Sequence, residues 1–508
     1  MSSVVVVADT DGRTAPLLHN LSSPPSSVPY GGDSVVEEEE IVASPSSDEP
    51  DGSKPNSVHP SQRLASLDVF RGLTIALMIL VDDAGGAFPW INHSPWFGVT
   101  LADFVMPFFL FGVGVSVGLV FKKVSSKPSA TKKVIIRTIK LFLLGVILQG
   151  GYFHGRHHLT YGVDLGKIRF LGVLQRISIG YLVASVLEIW LVNNVAVGSA
   201  LTFIRRYYMQ WIVAFMLGSS YMSLLYGLYV PDWNYDVLST NLSSSTSKYE
   251  FGTQIELNLP VDSMRVHCEM RGSLLPPCNA VGLVDRFVLG VQHLYQRPVY
   301  RRMKECSVNS PDYGPLPQNA PEWCLAPFDP EGILSSLMAA ITCVLGLHYG
   351  HMVVHCKDHM ESVFLWSMSS FPLLISGFVL KVLGIPFSKP LYTLSYMCVT
   401  AGASGFVLTV VFYIVDVKHV KKPTIVLQWM GMNALIIYAL AACELFPAAL
   451  QGFYWRSPEN NLVDGTESLL QGMLHSKQWG TMAFVILEIL FWGLVAGFLH
   501  MKGIYVKL

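Results

Sequence analysis

Charge is scarce in this sequence. Only 14% of its 508 residues are Asp, Glu, Lys or Arg, against about 25% in soluble domains. Length alone would suggest about three soluble domains of roughly 150 residues each, but so little charge cannot dress their surfaces. An excess of one sign is missing too. The formal net charge is −1, so no broad basic field exists and nucleic acid is not expected as a partner. No Cys-x-x-Cys spacing occurs, which argues against a structural zinc site, and no metal is expected. The N-terminus has no basic segment followed by a short apolar core, so a cleaved secretory signal is not expected before the first apolar run. No internal repeat is visible.

Long apolar runs fill the rest. Hydrophobic residues make up 51% of the chain and mean hydropathy is +0.42. A spanning helix needs about 20 mostly apolar residues, and about ten such runs are present. They lie near Leu64–Val81, Val99–Phe121, Val134–Gln149, Phe170–Val192 and Tyr208–Val230, then Gly332–Tyr349, Val363–Leu383, Tyr392–Val415, Ile425–Leu445 and Met482–Leu499. The expected fold class is an all-α integral membrane bundle of about ten transmembrane helices. Residues 1–62 are rich in Ser, Pro, Asp and Glu and read as a disordered tail. Residues 63–508 read as the bundle, with an insertion at 231–331.

Lys and Arg in short loops mark the cytoplasmic side. They cluster after every second run: Lys122, Lys123, Lys127, Lys132, Lys133 and Arg137; Arg205 and Arg206; Lys357; Lys418, Lys421 and Lys422; Lys502 and Lys507. Both termini are therefore expected in the cytoplasm, although Arg156, Lys167, Arg169 and Arg456 fall on the other side. The insertion then faces the lumen or exterior. Four of the eight cysteines, Cys268, Cys278, Cys306 and Cys324, lie in it, as disulfides in an oxidising compartment would require. Three pairings are open. Asn241-Leu242-Ser243 is a glycosylation sequon in the same stretch.

Ionisable side chains in spanning helices are costly unless paired or wet, which makes each a functional candidate. Asp68 and Arg71 share one face of the first helix. They form either an ion pair at the membrane edge or a phosphate site built on Arg71. Asp82 and Asp83 close that helix, roughly 16 Å away at 1.5 Å per residue. The next turn carries His93, a side chain suited to moving a proton near neutral pH. Asp103, in the apolar start of the second helix, could orient it, or cap the helix instead. Arg176 lies inside the fourth run and should face a pocket or partner. His154, in a polar and aromatic connection, and Asp285-Arg286 with His293, in the insertion, either line an acceptor site or stabilise a small extramembrane fold. His348, His351, His355 and His359 are spaced along one helical face; they suit weak positive anchors better than a metal.

Several of these motifs occur together: Leu67-Asp68-Val69-Phe70-Arg71-Gly72, Asn92-His93-Ser94-Pro95-Trp96, Ala102-Asp103-Phe104-Val105-Met106-Pro107, Gly172-Val173-Leu174-Gln175-Arg176, Asp285-Arg286, His293-Leu294-Tyr295, Phe328-Asp329-Pro330-Glu331-Gly332 and Gly431-Met432-Asn433-Ala434-Leu435. In this order they resemble the heparan-α-glucosaminide N-acetyltransferase family, in a plant-like form, with a distant similarity to acyltransferase-3 membrane proteins. The resemblance runs from about Arg63 to the C-terminus. It implies transfer of an acetyl group from cytosolic acetyl-CoA, as co-substrate, to an amino sugar or glycan in the lumen. It implies His93 as the catalytic residue, tuned by Asp82 and Asp103. Asp82 stands where the family has Asn. Arg71 and Arg176 would hold the acetyl-CoA; His154, Arg286 and His293 would hold the acceptor. Membrane lipid and a homodimer complete the expected partners. A vacuolar or lysosomal-type membrane is expected, with the plasma membrane as the alternative. Two rival functions are a secondary transporter and a catalytically inactive acyltransferase-like protein.

Overall fold

A computed structural model describes residues 64–122, 126–149, 166, 168–193, 199–238, 261–356, 358–442, 445–457 and 460–506. The expected tail, the Asn241 sequon and His154 lie outside the described residues. Residues 64–508 form one compact unit.

The elements run α1 (Ala65–Ala84), α2 (Ala102–Val120), α3 (Lys127–Gln149), α4 (Val173–Trp190) and α5 (Ala200–Gly227). Short strands β1 (Tyr229–Val230), β2 (Trp233–Leu238), β3 (Val261–Val266) and β4 (Met270–Arg271) follow, then α6 (Ala280–Leu289). The chain continues through α7 (Ile333–His355), α8 (His359–Val382), α9 (Leu394–Phe412), α10 (Ile425–Met432), α11 (Ala434–Ile437), α12 (Leu445–Gln451), α13 (Leu462–Leu474) and α14 (Lys477–Met501).

Helix dominates, as the apolar runs require. Among the described residues six helices are long and apolar enough to cross a membrane: α2, α4, α7, α8, α9 with its continuation to Val417, and α14. A seventh span results if residues 434–441 and 445–451, bent by 47° at their break, count as one. The other expected runs are helical but more polar than their apolar centres suggest. α1 carries Asp68, Arg71, Asp82 and Asp83, and α3 carries Lys127, Lys132, Lys133, Arg137 and Lys140. α5 begins at Ala200, capped by Ser199, so Arg205 and Arg206 sit in the helix rather than in a loop before it. The expected continuous helix Ile425–Leu445 is broken at Asn433, whose φ of −113° leaves the helical region.

Glycine sets a tight crossing. Gly114 and Gly118 of α2 face Gly346 and Gly350 of α7, a small-xxx-small pair on both sides. A Cβ on Gly114 would lie 1.9 Å from the Cys343 carbonyl oxygen, and one on Gly346 would lie 2.1 Å from that of Phe111. Such contact lets backbones meet where lipid provides no hydrophobic drive. α2, α4, α7 and α9 are mostly enclosed, whereas α8 exposes Phe364, Phe371 and Phe378 and α14 exposes Leu490, Leu494 and Phe498. Apolar surface of that extent suits lipid rather than water.

The described part of the insertion contains two short two-stranded sheets and packs on the bundle. β2 pairs antiparallel with β3, from Trp233 opposite Val266 to Leu238 opposite Val261, and β1 pairs with β4. Of the three possible pairings, the disulfides are Cys268–Cys278 and Cys306–Cys324.

Candidate active site at the turn between the first two helices

The turn between α1 and α2 has little regular structure, yet it is held from three directions. Trp96 is buried, its indole N–H donates to the Leu274 carbonyl at 2.9 Å, and its ring packs edge-on against Phe328 and Tyr300. The Gly98 N–H donates to the Phe387 carbonyl at 2.9 Å, and its φ of +115° requires glycine. Arg302, in the turn Val299–Arg302, donates to the His93 carbonyl at 2.7 Å and to that of Pro311 at 2.9 Å. Asn92 accepts from the His93 N–H and donates to Asp312.

These clamps set the His93 ring against Asp103, with Nδ1 to Oδ1 at 2.9 Å. Asp103 is fully buried in the first turn of α2. Its other oxygen accepts from the Thr100 N–H at 3.1 Å, the Thr100 hydroxyl at 3.0 Å and the Ser94 N–H at 3.2 Å. The Tyr396 hydroxyl donates to its carbonyl at 2.5 Å. One carboxylate thus holds the His93 ring and the backbone of Ser94 and Thr100 at once, without a side-chain cap at the N-cap residue Leu101. A carboxylate only accepts, so Nδ1 carries the ring proton and the lone pair stays on Nε2. The ring remains about 33% exposed.

One close neighbour was not anticipated from the sequence. Lys389 brings its ammonium to 3.1 Å from His93 Nδ1 and 3.3 Å from Nε2. Burial and then Lys389 hold the His93 pKa below its usual value, against the opposing pull of Asp103.

Behind this turn lies a buried charge network. Arg169 bonds Asp329 at 2.6 and 2.8 Å and Glu331 at 2.6 Å. Burial works against Arg169, but the two carboxylates win and raise its pKa. Glu331 is held low despite burial, by Arg169, Arg176 and Lys389. Arg176 is fully buried, bonded to the Pro330 carbonyl at 2.9 Å, to the Ser335 hydroxyl and to Ser336. The expectation that it faces a partner is met by these groups of the chain itself.

The other expected site residues that are described make contacts of their own. Arg71 bonds the Ser116 hydroxyl and pairs with Asp68 at 3.6 Å, with 32% of its side chain exposed. Asp82 is exposed at the end of α1. Arg286 stacks on Trp233, 3.8 Å from the ring centre, and burial pushes it down to about 10. Asp285 beside it caps Ile333, and burial pushes it up to about 7. His293 bonds the Ile168 carbonyl at 2.8 Å and packs on Phe170. His154 lies outside the described residues.

At the far ends of α2 and α7, a cavity of about 180 Å³ is lined by Lys122, Glu188, Arg206, Tyr207, His351 and His355. Here His351 bonds Glu188 at 2.7 Å and His355 bonds Tyr207 at 2.9 Å. His348 accepts from Trp211, while His359 begins α8, so the four histidines do not share one helix. No group of three metal-ligating side chains occurs among the described residues.

Fold and site together define a helical membrane protein with a histidine–carboxylate pair, flanked by a lysine, in a turn between helices. Residues 63–232 match the family model described as "Heparan-alpha-glucosaminide N-acetyltransferase, catalytic". The chain is also similar to proteins of that name from Mus musculus and Homo sapiens. It is 26% identical to the first over 456 residues and to the second over 450, in each case 85% of this chain. The chain spans about 60% of the length of these curated relatives. These matches make the chain similar to heparan-alpha-glucosaminide N-acetyltransferases, in the family model over residues 63–232 and in the relatives over 85% of its length.

Proposed function

We propose that this protein is a transmembrane acetyltransferase that moves an acetyl group from cytosolic acetyl-CoA to an amino-sugar or glycan acceptor on the opposite side of the membrane. The observation that carries the reading is the His93–Asp103 pair at 2.9 Å, in a turn that stays open to solvent. Only the neutral form of an amine attacks a thioester. Asp103 holds the proton on Nδ1, so Nε2 takes the proton that the acceptor nitrogen sheds as its bond to the acetyl carbon forms. The carbon–sulfur bond then breaks and CoA leaves as the thiol after taking up a proton. General-base help of this kind is worth about 10²–10⁴-fold. A variant course has His93 carry the acetyl group briefly as a nucleophile. Arg71, partly exposed near the start of α1, is the residue we assign to the CoA phosphates, with Arg176 acting from behind the site. Arg286, His293 and His154 are assigned to the acceptor side, and Asp82 to tuning.

The same reading takes ten spans, both termini in the cytoplasm, the disulfide-bearing insertion in the lumen and a vacuolar or lysosomal-type membrane. Alternating Lys/Arg loops and two disulfides support it. The transporter reading draws on the broken span at residues 434–451, but a transport site of that kind calls for a paired second break.

The test is release of CoA thiol by purified protein offered acetyl-CoA and a panel of amino sugars and glycans. Release with at least one acceptor, and its loss in a folded His93→Ala variant that still binds acetyl-CoA, is the expected result. No release with any acceptor, or full release by His93→Ala, refutes the proposal.

A further inference from the structure

Lys389 comes from the connection between α8 and α9, far along the chain from His93, and that connection is stiff. The Tyr392 N–H donates to the Lys389 carbonyl at 3.0 Å, and the Thr393 N–H donates to that of Ser388 at 3.2 Å. The Thr393 and Ser395 hydroxyls both donate to the Pro386 carbonyl. Leu391 and Tyr392 are fully buried, while Gly98 bonds Phe387 from the His93 turn itself. A long cationic side chain rooted in such a loop loses much of its freedom. Its ammonium lies within 3.3 Å of both ring nitrogens of His93.

Among the described residues, the charges around the ring come from several elements. Asp103 approaches from α2. Arg302 bonds the His93 carbonyl from the insertion, and Asp312 lies one step away through Asn92. Tyr396 of α9 holds the Asp103 backbone. Lys389 faces the ring directly and acts on Glu331 beyond it. A histidine paired only with a buried carboxylate would be drawn into the imidazolium form, because that form supplies the missing positive charge. Here a lysine already supplies it. With neutral His93, Asp103 and Lys389 cancel; protonating His93 would place two cations in contact against one carboxylate.

We propose that Lys389 is a positioning residue that keeps the His93 imidazole neutral under acidic conditions, by occupying the cationic place beside Asp103 that a protonated His93 would otherwise take. This rests on the reading of His93 as the proton acceptor. It explains how a histidine in contact with a buried carboxylate stays a base where solution histidines, with a pKa of about 6.5, are mostly protonated.

The test reads the protonation of His93 without needing turnover. Diethyl pyrocarbonate modifies only neutral imidazole. Its rate at the His93 peptide, followed by mass spectrometry against pH on the purified full-length protein, yields the titration midpoint. In the wild type the midpoint should lie clearly below about 6.5. In Lys389→Met it should rise by about one unit or more, which lowers His93 reactivity up to about tenfold at pH values below both midpoints. Lys389→Arg should restore the low midpoint. The acid limb of acetyl-transfer rate should move in step. A wild-type midpoint at or above 6.5 overturns the proposal even if the methionine variant fails to fold, and so does an unchanged midpoint in a folded Lys389→Met. Midpoints that shift as stated in a protein that consumes no acetyl-CoA support the role of Lys389 and refute the acetyltransferase reading.

Discussion

Replacing Asp103 with Asn probes the candidate site with almost no change of shape. The wild-type carboxylate accepts one hydrogen bond from His93 Nδ1 and three from Thr100 and Ser94. In Asp103→Asn the amide oxygen can keep the Thr100 and Ser94 bonds, which leaves the amide nitrogen facing His93. That nitrogen donates, so Nδ1 must become the acceptor and the ring proton moves to Nε2. The lone pair that would take the acceptor's proton is then gone. If His93 acts as a general base, the loss is the whole of its contribution, about 10²–10⁴-fold in turnover, or about 2.7–5.5 kcal/mol at 1.36 kcal/mol per tenfold. Acetyl-CoA binding should persist, because the donor phosphates are assigned to Arg71 at the other end of α1. The assay is thiol release at saturating acetyl-CoA, paired with thermal unfolding and donor binding on the same preparation. A folded Asp103→Asn protein that binds acetyl-CoA and turns over within about threefold of wild type would refute the tautomer argument and the base role with it.

Other perturbations report on separate parts of the molecule. Arg71→Ala should raise the Michaelis constant for acetyl-CoA, and Arg71→Lys should retain part of the binding, since charge persists without the bidentate fork; an unchanged donor dependence in both returns Arg71 to its pairing with Asp68 and Ser116. Arg169→Gln strands Asp329 and Glu331, both buried, and should destabilise the protein by about 3–5 kcal/mol, visible as a lower unfolding temperature in detergent; an unshifted transition speaks against the network. The two disulfides close loops of sequence separation 10 and 18, and removing either should cost about 2–5 kcal/mol. A non-reducing peptide map should link Cys268 to Cys278 and Cys306 to Cys324, and four free thiols would refute the assignment.

The apolar runs made the helical membrane class legible, because a bilayer forces about 20 apolar residues in a row and helix is the local way to satisfy every backbone polar group. The same rule misjudged helix ends. Arg205, Arg206 and Lys132 read as loop residues by their charge, but helix continues through them, since long cationic side chains reach toward the interface from a helix. The break at Asn433 also escaped, because no proline or glycine at that position announces it.

Within the site, the sequence by itself determined that His93 and Asp103 could meet. They are ten residues apart across one short turn, although the start of α2 left capping open to Asp103 as well. Four clustered cysteines likewise announced disulfides but not their pairing, which depends on how the insertion folds back on itself. Only the tertiary structure decided the rest. It brought Lys389 from 296 residues away, set Arg302 on the His93 backbone, and enclosed Arg176 among Pro330, Ser335 and Ser336. The one hint of Lys389 was its place in a connection that the Lys/Arg alternation assigns to the less basic side. The physical reason is reach. Hydrophobic period and turn length act over a few residues, whereas the charge state of a half-buried histidine is set by whichever elements the packing of distant helices brings within about 4 Å.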